Sequence, residues 1–550
     1  MGSCPTGLSG CLSLVLYIGA PALGENTQQS NFDLIIVGGG INGAALARQA
    51  AFQGLKPAVF EAGDFGQGAS TNTSKLLHGG LRYLETYDFG LVRDAVRERA
   101  QLLRMAPHLV EARRFLFPRT RLGRHARPLI KAGMTLYDLL AGGRLRLDPH
   151  GWVSPEQLRE REPHFLPDEE VGGYEYSDCV MDDARLVLEN LLDARALGAE
   201  IRNYHRFLRA ESLADGLIAL TFLDRLTGKE AVFRAPKVAL ALGPWTDEVL
   251  KEAFPEASPQ VRLSQGIHLI ADGLDSRTCF ILPVPDSKRY FFVVPWKGKH
   301  LIGTTETEVG EYPPKPLVPL QEEIQELERL VQVYFPNQKV QTICTITGLR
   351  PLARATRGST ITLSREHEFH TLREGIYSAV GGKYTTHRTL ARDYLKYILG
   401  DETEVRHMED RPFPGAWTGS EAKDELRTHL LAYPFVDPPM AEAWMRRYGR
   451  RALELAAFAA ADKAMQEKLP GPNALLLAEV YFSIKMEWAR TPIDFYRRRT
   501  DMYFTRDGGT TSLDRVEAVF ASHSPGYRKA LGGDSDYPEF LRRNRHAAVR

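Results

Sequence analysis

The chain has 550 residues, 43% of them hydrophobic, a length that exceeds a single hydrophobic core and predicts two or three globular domains. Its 70 Lys and Arg balance 69 Asp and Glu, and this net charge of +1 gives no reason to expect a polyanionic partner for the chain as a whole; no nucleic-acid motif occurs either. The five cysteines lack the paired spacing of a zinc site, so we expect no metal and a reducing compartment.

The first 30 residues contain an apolar run, 8–23, that superficially resembles a signal peptide. No Lys or Arg precedes Arg48, so the positively charged start of a signal peptide is missing. The run is also shorter than the roughly 20 apolar residues that span a bilayer. We therefore interpret 1–30 as an N-terminal extension, expected to be disordered.

A dinucleotide-binding pattern follows this extension. Residues 33–37 predict a buried parallel strand, and Gly38, Gly40 and Gly43 then fit the spacing G-x-G-x-x-G at the start of a small-residue helix. Gly38 allows the tight turn, Gly40 lets the backbone approach a pyrophosphate, and Gly43 lets helix and strand pack closely. A second strand, 56–60, ends in Glu61, at the separation where an acidic residue accepts hydrogen bonds from a ribose. The glycines alone are compatible with a structural turn, but together with Glu61 they predict dinucleotide binding.

The next segment distinguishes FAD from NAD. Residues 74–85, Ser-Lys-Leu-Leu-His-Gly-Gly-Leu-Arg-Tyr-Leu-Glu, resemble the flavin-contacting signature of the FAD-dependent (respiratory) glycerol-3-phosphate dehydrogenase family. Further matches follow in the family's order, at 176–179, 182–186, 243–245, 303–305, 348–352 and 381–383. The chain departs from the family's usual residues at 239–242 and 384–387, which leaves the subfamily and the electron acceptor open.

The resemblance implies an α/β fold in which a Rossmann-like FAD-binding domain is interleaved with an antiparallel-sheet substrate domain. Within 31–400, the FAD-binding parts are expected at about 31–105, 181–245 and 375–395, and the substrate-binding parts at about 106–180 and 246–374. The acidic, Pro-rich stretch 401–420 predicts a linker, and helical periodicity after it predicts a C-terminal all-helical domain at 421–550.

The resemblance also implies FAD as the cofactor. The residues expected to bind it lie in the glycine motif, at the end of the second strand, in the signature and in two later turns: Gly38, Gly40, Asn42, Gly43, Glu61, Ser74, Lys75, His78, Gly243, Gly382 and Thr385.

The implied reaction is oxidation of sn-glycerol 3-phosphate to dihydroxyacetone phosphate by hydride transfer to the flavin. The phosphate group of this substrate needs more than one cation in the site. Arg82 and Arg350 are the candidates, because both lie in otherwise uncharged stretches; a structural salt bridge is the alternative role for each. Tyr83 and Lys383 complete the expected substrate-binding set. Lys383 follows two glycines at the predicted start of a helix, where its charge would stabilise the reduced flavin. We expect His268, Arg350 and Lys383 to be catalytic.

The proton acceptor is the least determined role. His268 interrupts a strand-like apolar run in a Gly-x-His pattern that the family places at the edge of its substrate pocket, although a structural histidine is nearly as compatible. His78 is the other contender, and its position in the signature favours flavin contact. Further along, 279–284 and 290–294 predict an antiparallel hairpin in which Arg289 pairs with Asp286 or meets substrate.

A basic segment raises the question of membrane binding. No acidic residue occurs between Glu111 and Asp138, whereas seven basic residues do: Arg113, Arg114, Arg119, Arg121, Arg124, Arg127 and Lys131. Their mixture with apolar residues favours binding to an anionic membrane surface, with an ordinary solvated face as the alternative. Related dehydrogenases pass electrons to a quinone in the bilayer and related oxidases pass them to oxygen. We expect a quinone partner and a cytoplasmic enzyme held peripherally on the inner face of the cell membrane; the oligomeric state stays open, with a homodimer as one candidate.

Two other functions compete with this prediction. Amino-acid and amine oxidases share the dinucleotide fold and an arginine that clamps a carboxylate, but they lack the 74–85 signature and the C-terminal helical domain. A protein in which FAD is only a structural or regulatory ligand is the non-enzymatic alternative.

Overall fold

The computed structural model describes residues 32–80, 89–119, 127–141, 147–166, 171–287, 289–310, 317–354, 367–400, 402–406, 408, 411–472, 475–523, 527–531 and 536–545. The predicted extension 1–30, the candidate substrate residues Arg82 and Tyr83, and the basic residues Arg121 and Arg124 lie outside this part of the chain. For Arg127 the structure describes the backbone alone.

The described strands are, in chain order, β1 (Leu34–Val37), β2 (Pro57–Phe60), β3 (Leu76–Leu77), β4 (Val110–Pro118), β5 (Gly151–Val153), β6 (Gly173–Met181), β7 (Glu200–Arg202), β8 (His205–Ser212), β9 (Ile218–Asp224), β10 (Glu230–Ala235), β11 (Val238–Leu240), β12 (Val261–Asp272), β13 (Cys279–Pro283), β14 (Tyr290–Trp296), β15 (Lys299–Gly303), β16 (Thr307–Glu308), β17 (Gln341–Ala353), β18 (His367–Arg373) and β19 (Ile376–Gly381).

The described α-helices are α1 (Ile41–Phe52), α2 (Phe89–Met105), α3 (Arg127–Ala141), α4 (Pro155–Arg161), α5 (Asp183–Ala196), α6 (Thr246–Ala253), α7 (Gln321–Tyr334), α8 (His387–Leu399), α9 (Gly419–Leu431), α10 (Pro438–Tyr448), α11 (Ala452–Ala461), α12 (Leu477–Glu487), α13 (Pro492–Asp494), α14 (Leu513–His523), α15 (Tyr527–Leu531) and α16 (Tyr537–Asn544).

A sheet that is parallel except at one edge strand forms the predicted Rossmann-like domain. Its strand order is β18-β19-β11-β1-β2-β7, and β1 lies parallel to both β2 and β11, as buried runs of β-branched residues favour. Helices α1, α5 and α8 pack on one face through apolar side chains such as Leu46, Leu191 and Leu395. The small sheet β8–β10 covers the other face. The edge strand β18 comes from the range expected in the substrate domain and pairs antiparallel with β19.

The second large sheet has ten strands and lies beside the first. Its main path is β16-β12-β15-β14-β13-β4-β6-β3, with β17 paired to β12 and β5 paired to β6. Every pairing described is antiparallel except β4 with β13. The predicted hairpin is confirmed as β13–β14, with Phe280 opposite Val293. Helix α7 packs on this sheet through Ile324, Leu327 and Val331.

The C-terminal part is helical, as predicted. Helices α9 to α12 surround a core that contains Trp444, Leu455 and Phe482. Helix α12 and the later helices share a core with the ten-stranded sheet, in which Val480 of α12 and Phe520 of α14 join Ile346 of β17. The stretch before α9 is bonded to the FAD domain, since Arg411 donates to Asp193 of α5 at 2.7 Å. The helical domain is therefore packed against the sheet that carries the candidate substrate residues.

One arginine interpretation from the sequence needs correction, and one arginine of the basic segment has partners within the protein. Arg289 pairs with Glu326 of α7 at 2.5 Å, because the side chain extends from the hairpin toward that helix and not across the turn to Asp286. Arg114, one of the seven residues of the basic segment, lies on β4 and donates to Glu175 and Ser177 of β6. No helix among the described residues combines the length and the apolar character that crossing a membrane requires.

Candidate active site

The glycine turn between β1 and α1 has little room for side chains. Gly38 has φ +111°, and a Cβ atom there would lie 2.4 Å from the carbonyl oxygen of Ala241. A Cβ atom at Gly43 would lie 1.9 Å from the carbonyl oxygen of Gly38. Gly38 thus permits the turn and Gly43 permits close packing of helix on strand.

The N-terminus of α1 is open to an anion. Gly40 caps the helix and provides no side-chain acceptor, so the first-turn N–H groups are not capped by it. Within the described part of the chain, a Cβ atom at Gly40 would meet only the Ser70 hydroxyl, at 3.1 Å. Asn42 lies half-buried in the first turn, and Ser70 Oγ accepts from the N–H of Ile41 at 2.9 Å. This cradle fits a pyrophosphate; Ser70 belongs to it although no sequence motif marked that residue.

Glu61 stands at the end of β2, beside this turn. Its carboxylate accepts from the N–H of Gly39 at 2.7 Å and from the N–H of Gly63 at 2.9 Å. Burial raises the pKa of Glu61, while these two backbone donors act to lower it. A carboxylate has about four acceptor sites, so those that remain fit the ribose hydroxyls of FAD.

Residues 74–80, the described part of the signature, which we name the signature loop, are held in place by Lys75. This residue has φ +56°, and its buried ammonium donates to Asp183 Oδ1 at 2.6 Å and to the carbonyl oxygen of Thr71 at 2.8 Å. Burial lowers its pKa, and the charge on Asp183 opposes that shift. Two of the three N–H groups of the ammonium therefore hold the loop in place. The third N–H group and the backbone of the loop remain for the expected contact with the cofactor.

Ser74 and His268 meet although 194 residues separate them. Ser74 Oγ lies 2.8 Å from His268 Nε2. Burial, together with the charges of Arg350 and Lys75, lowers the pKa of His268 to about 3. The ring is therefore neutral at pH 7 and can accept a proton. Gly303 leaves space for it, because a Cβ atom there would lie 2.5 Å from His268 Cδ2.

Arg350 lies on β17, next to the strand of His268. Its guanidinium donates to Thr304 Oγ1 at 2.8 Å and to the carbonyl oxygen of Thr305 at 3.2 Å. It occupies the space over Gly266 of β12, where a Cβ atom would lie 2.3 Å from Nη2. Thr304 and Gly266 thus position Arg350. In the sequence, Gly266 was indicated only as the glycine of the Gly-x-His pattern.

This face of β12 and β17 packs on the chain around Asn72, just before the signature residues. Arg350 lies opposite Ser264, and Gly348, on the same face two residues earlier, lies opposite Gly266. A Cβ atom at Gly348 would lie 2.5 Å from the carbonyl oxygen of Asn72. The fold therefore brings Ser74, His268 and Arg350 together from three separate segments.

Lys383 follows β19 after two consecutive glycines. Gly381 and Gly382 have φ +75° and +86°, and Lys383 is buried. The prediction of a helix start at Lys383 is wrong, because α8 begins only at His387, after a turn. Residues 383–386 are not helical, and Thr386, which precedes the helix, has φ −100° and ψ 20°.

The remaining candidate cofactor residues lie in loops. Thr385 is buried in the turn before α8. Gly243 has φ +55° and opens a short 3₁₀ turn after β11. His78 is half-buried directly after β3. Their contacts with a cofactor stay predictions.

Two family models and several curated relatives match most of the chain. The family model described as FAD dependent oxidoreductase matches residues 33–387, and the one described as C-terminal domain of alpha-glycerophosphate oxidase matches residues 408–525. D-erythritol 1-phosphate dehydrogenase of Brucella abortus is 35% identical over 86% of this chain and 94% of its own. Glycerol-3-phosphate dehydrogenase of Pseudomonas aeruginosa is 35% identical over 86% of this chain and 92% of its own.

A solved structure shows the same fold. The glycerol-3-phosphate dehydrogenase from Bacillus halodurans complexed with FAD superposes with a TM-score of 0.73 at 23% identity, over 91% of this chain and 94% of that one. The glycine turn, Glu61 and the signature loop fit FAD, which is the cofactor of this protein. From the matched family models and the extent of these likenesses, the chain belongs to the FAD-dependent glycerol-3-phosphate dehydrogenase family.

Proposed function

We propose that this protein oxidises sn-glycerol 3-phosphate to dihydroxyacetone phosphate, with FAD accepting the hydride and a quinone accepting the electrons. The observation that carries the proposal is the grouping of a neutral, buried His268 with Ser74 of the signature loop and with Arg350. An alcohol oxidation needs a proton acceptor beside the hydride acceptor, and a phosphate substrate needs a cation in the same cleft.

The chemistry divides between cofactor and chain. Bound FAD supplies the hydride acceptor. His268 accepts the proton of the substrate hydroxyl at Nδ1, which has no hydrogen-bond partner among the described residues, while its Nε2–H donates to Ser74 Oγ at 2.8 Å and so holds the ring. Arg350 holds the phosphate with donors of its planar guanidinium, whose orientation is set by Thr304. A phosphate dianion near His268 raises its pKa from about 3 toward the range in which a general base works well.

A second candidate substrate is D-erythritol 1-phosphate, which the name of the Brucella relative supports. It offers the same phosphate to Arg350 on a longer polyol. The test is anaerobic bleaching of the flavin band of the purified protein by each compound, with glycerol as the control. We expect bleaching by sn-glycerol 3-phosphate at low concentration and none by glycerol. Equal bleaching by glycerol would contradict the phosphate role of Arg350, and preferential bleaching by D-erythritol 1-phosphate would replace the substrate.

Two oxidase alternatives concern the acceptor and the substrate class. A glycerol-3-phosphate oxidase would release hydrogen peroxide at the rate of turnover, whereas the proposed enzyme reduces a soluble quinone analogue. An amino-acid or amine oxidase of the same fold would be bleached by an amino acid and not by a polyol phosphate.

We further propose that the enzyme is cytoplasmic and binds the inner face of the cell membrane through its basic segment. Helix α3 supports this proposal, because Lys131 is exposed and Leu139 is 69% exposed on the same helix. A basic residue near an anionic lipid surface contributes about 1 kcal/mol, so several together suffice for peripheral attachment.

A further inference from the structure

The C-terminal domain places three consecutive arginines against the segment that is central to FAD binding. This segment, 61–75, which we name the cofactor segment, has Glu61 at one end and the signature residues Ser74 and Lys75 at the other. The arginines, Arg497 to Arg499, lie in the π-helical turn Phe495–Arg499 that follows α13. The cofactor segment itself is irregular apart from the short 3₁₀ turn Ala69–Thr71.

Two of the arginines hold the end of the cofactor segment near Glu61. Asp64 is fully buried, and Arg499 binds it through two parallel hydrogen bonds of 2.8 and 2.7 Å. Arg498 also donates to Asp64 and donates to Asp494 at 2.7 Å. A buried carboxylate without such partners is strongly destabilising. The segment therefore cannot bury Asp64 in this way unless the arginine turn is in place.

The third arginine holds the other end. Arg497 Nη2 donates to Asn72 Oδ1 at 2.6 Å, and Asn72 Nδ2 donates to the carbonyl oxygen of Gly68 at 2.7 Å. The Arg497 guanidinium carbon lies 4.7 Å from the ring centre of Tyr503 and 5.3 Å from that of Phe540. Its position is thus fixed by the C-terminal domain, and Asn72 stands two residues before Ser74.

We infer that the Arg497–Arg499 turn positions the cofactor segment, so that the C-terminal helical domain sets the affinity of the protein for FAD. A segment of irregular backbone loses conformational entropy when it orders around a cofactor. Ordering it in advance through Asp64 and Asn72 lowers that cost at the moment FAD binds. These arginines are positioning residues, because they act through the segment and do not touch the reacting atoms.

The test measures FAD binding and not turnover, so it is independent of the proposed substrate. Arg497→Met keeps much of the apolar stem between Tyr503 and Phe540 and removes the donor to Asn72. Titration of the apoprotein with FAD should show a dissociation constant raised about tenfold, the effect of one charge-assisted hydrogen bond. Hydrogen exchange of 61–75 in the apoprotein should be faster, and Arg497→Lys should recover part of the affinity.

The control is Arg506→Met. Arg506 also joins the C-terminal domain to another part of the protein, since it donates to Asp272 at 2.9 Å and to Gln341 at 3.2 Å, but those partners lie on the ten-stranded sheet. We expect its FAD dissociation constant and the exchange of 61–75 to match those of the unaltered protein. An equal weakening in Arg506→Met would overturn the inference, because loosened domain packing would then explain both variants.

A double variant tests whether Arg497 acts through its hydrogen bond to Asn72. Asn72→Ala alone should weaken FAD binding as Arg497→Met does, and the two changes together should weaken it no further than the stronger single change. Additive losses, or an unchanged FAD dissociation constant in folded Arg497→Met, would overturn the proposed positioning of the segment.

Discussion

Gly266→Ala should remove most of the activity without unfolding the protein. The new methyl group would lie 2.3 Å from Arg350 Nη2, 2.6 Å from Nη1 and 2.7 Å from Cζ. To reach the ordinary contact distance of 3.4 Å, the guanidinium must withdraw by about 1 Å. Because the guanidinium is the far end of a flexible side chain, this movement costs little stability. A misplacement of about 1 Å in a substrate-positioning group costs on the order of 100-fold in rate.

The assay is steady-state kinetics with sn-glycerol 3-phosphate and a soluble quinone analogue, alongside FAD content and Tm. We expect kcat/KM to fall about 100-fold in Gly266→Ala, which corresponds to about 2.7 kcal/mol, with FAD content unchanged. Gly151→Ala is the matched control, since Gly151 lies on β5 of the same sheet and its Cβ atom would meet none of the described residues within 4 Å. In an Arg350→Ala background, Gly266→Ala should have no further effect. Near-normal kinetics in Gly266→Ala, or a further loss in that background, would refute the role given to Arg350.

Three further predictions address the cofactor, the base and the membrane. Gly40→Val should give a folded protein without FAD, as measured by absorbance after gel filtration, because its branched side chain would fill the cradle at the N-terminus of α1; a yellow variant would place the pyrophosphate elsewhere. The pKa of His268 is about 3 when folded and 6.5 when unfolded, so the unfolded state binds more protons below pH 6.5 and stability falls there. Between pH 6 and 4, the free energy of unfolding of His268→Gln, measured by urea titration, should therefore fall by about 1.4 kcal/mol less per pH unit than that of the unaltered protein. The same pH dependence in both proteins would contradict a neutral, buried ring. Changing Arg121, Arg124 and Arg127 together to glutamine should reduce sedimentation with anionic vesicles at low salt, whereas binding that is unaffected by these changes or by salt would exclude the basic segment as the membrane contact.

Patterns that depend on neighbours in sequence were predictable. The strand, the glycine turn and the helix from residue 33 to residue 52 follow from local backbone requirements, since Gly38 needs positive φ and Gly43 needs close packing. The hairpin β13–β14 and the helical C-terminal domain follow from periodicity. The start of α8 was not predictable in the same way, because residues 383–386 form a non-helical turn before His387 that no local motif marked.

By itself, then, the sequence determined the dinucleotide fold, the cofactor class and the family, because these are written in short motifs whose backbone geometry is local. Only the tertiary structure decided which side chains meet. Ser74 reaches His268 across 194 residues, and Arg497 reaches Asn72 across 425. The spacing of residues along the chain does not predict such pairs, because they depend on the register of β12 with β17 and on where the C-terminal domain packs. The same reason explains Arg289, whose partner on α7 was set by the packing of a helix on a sheet.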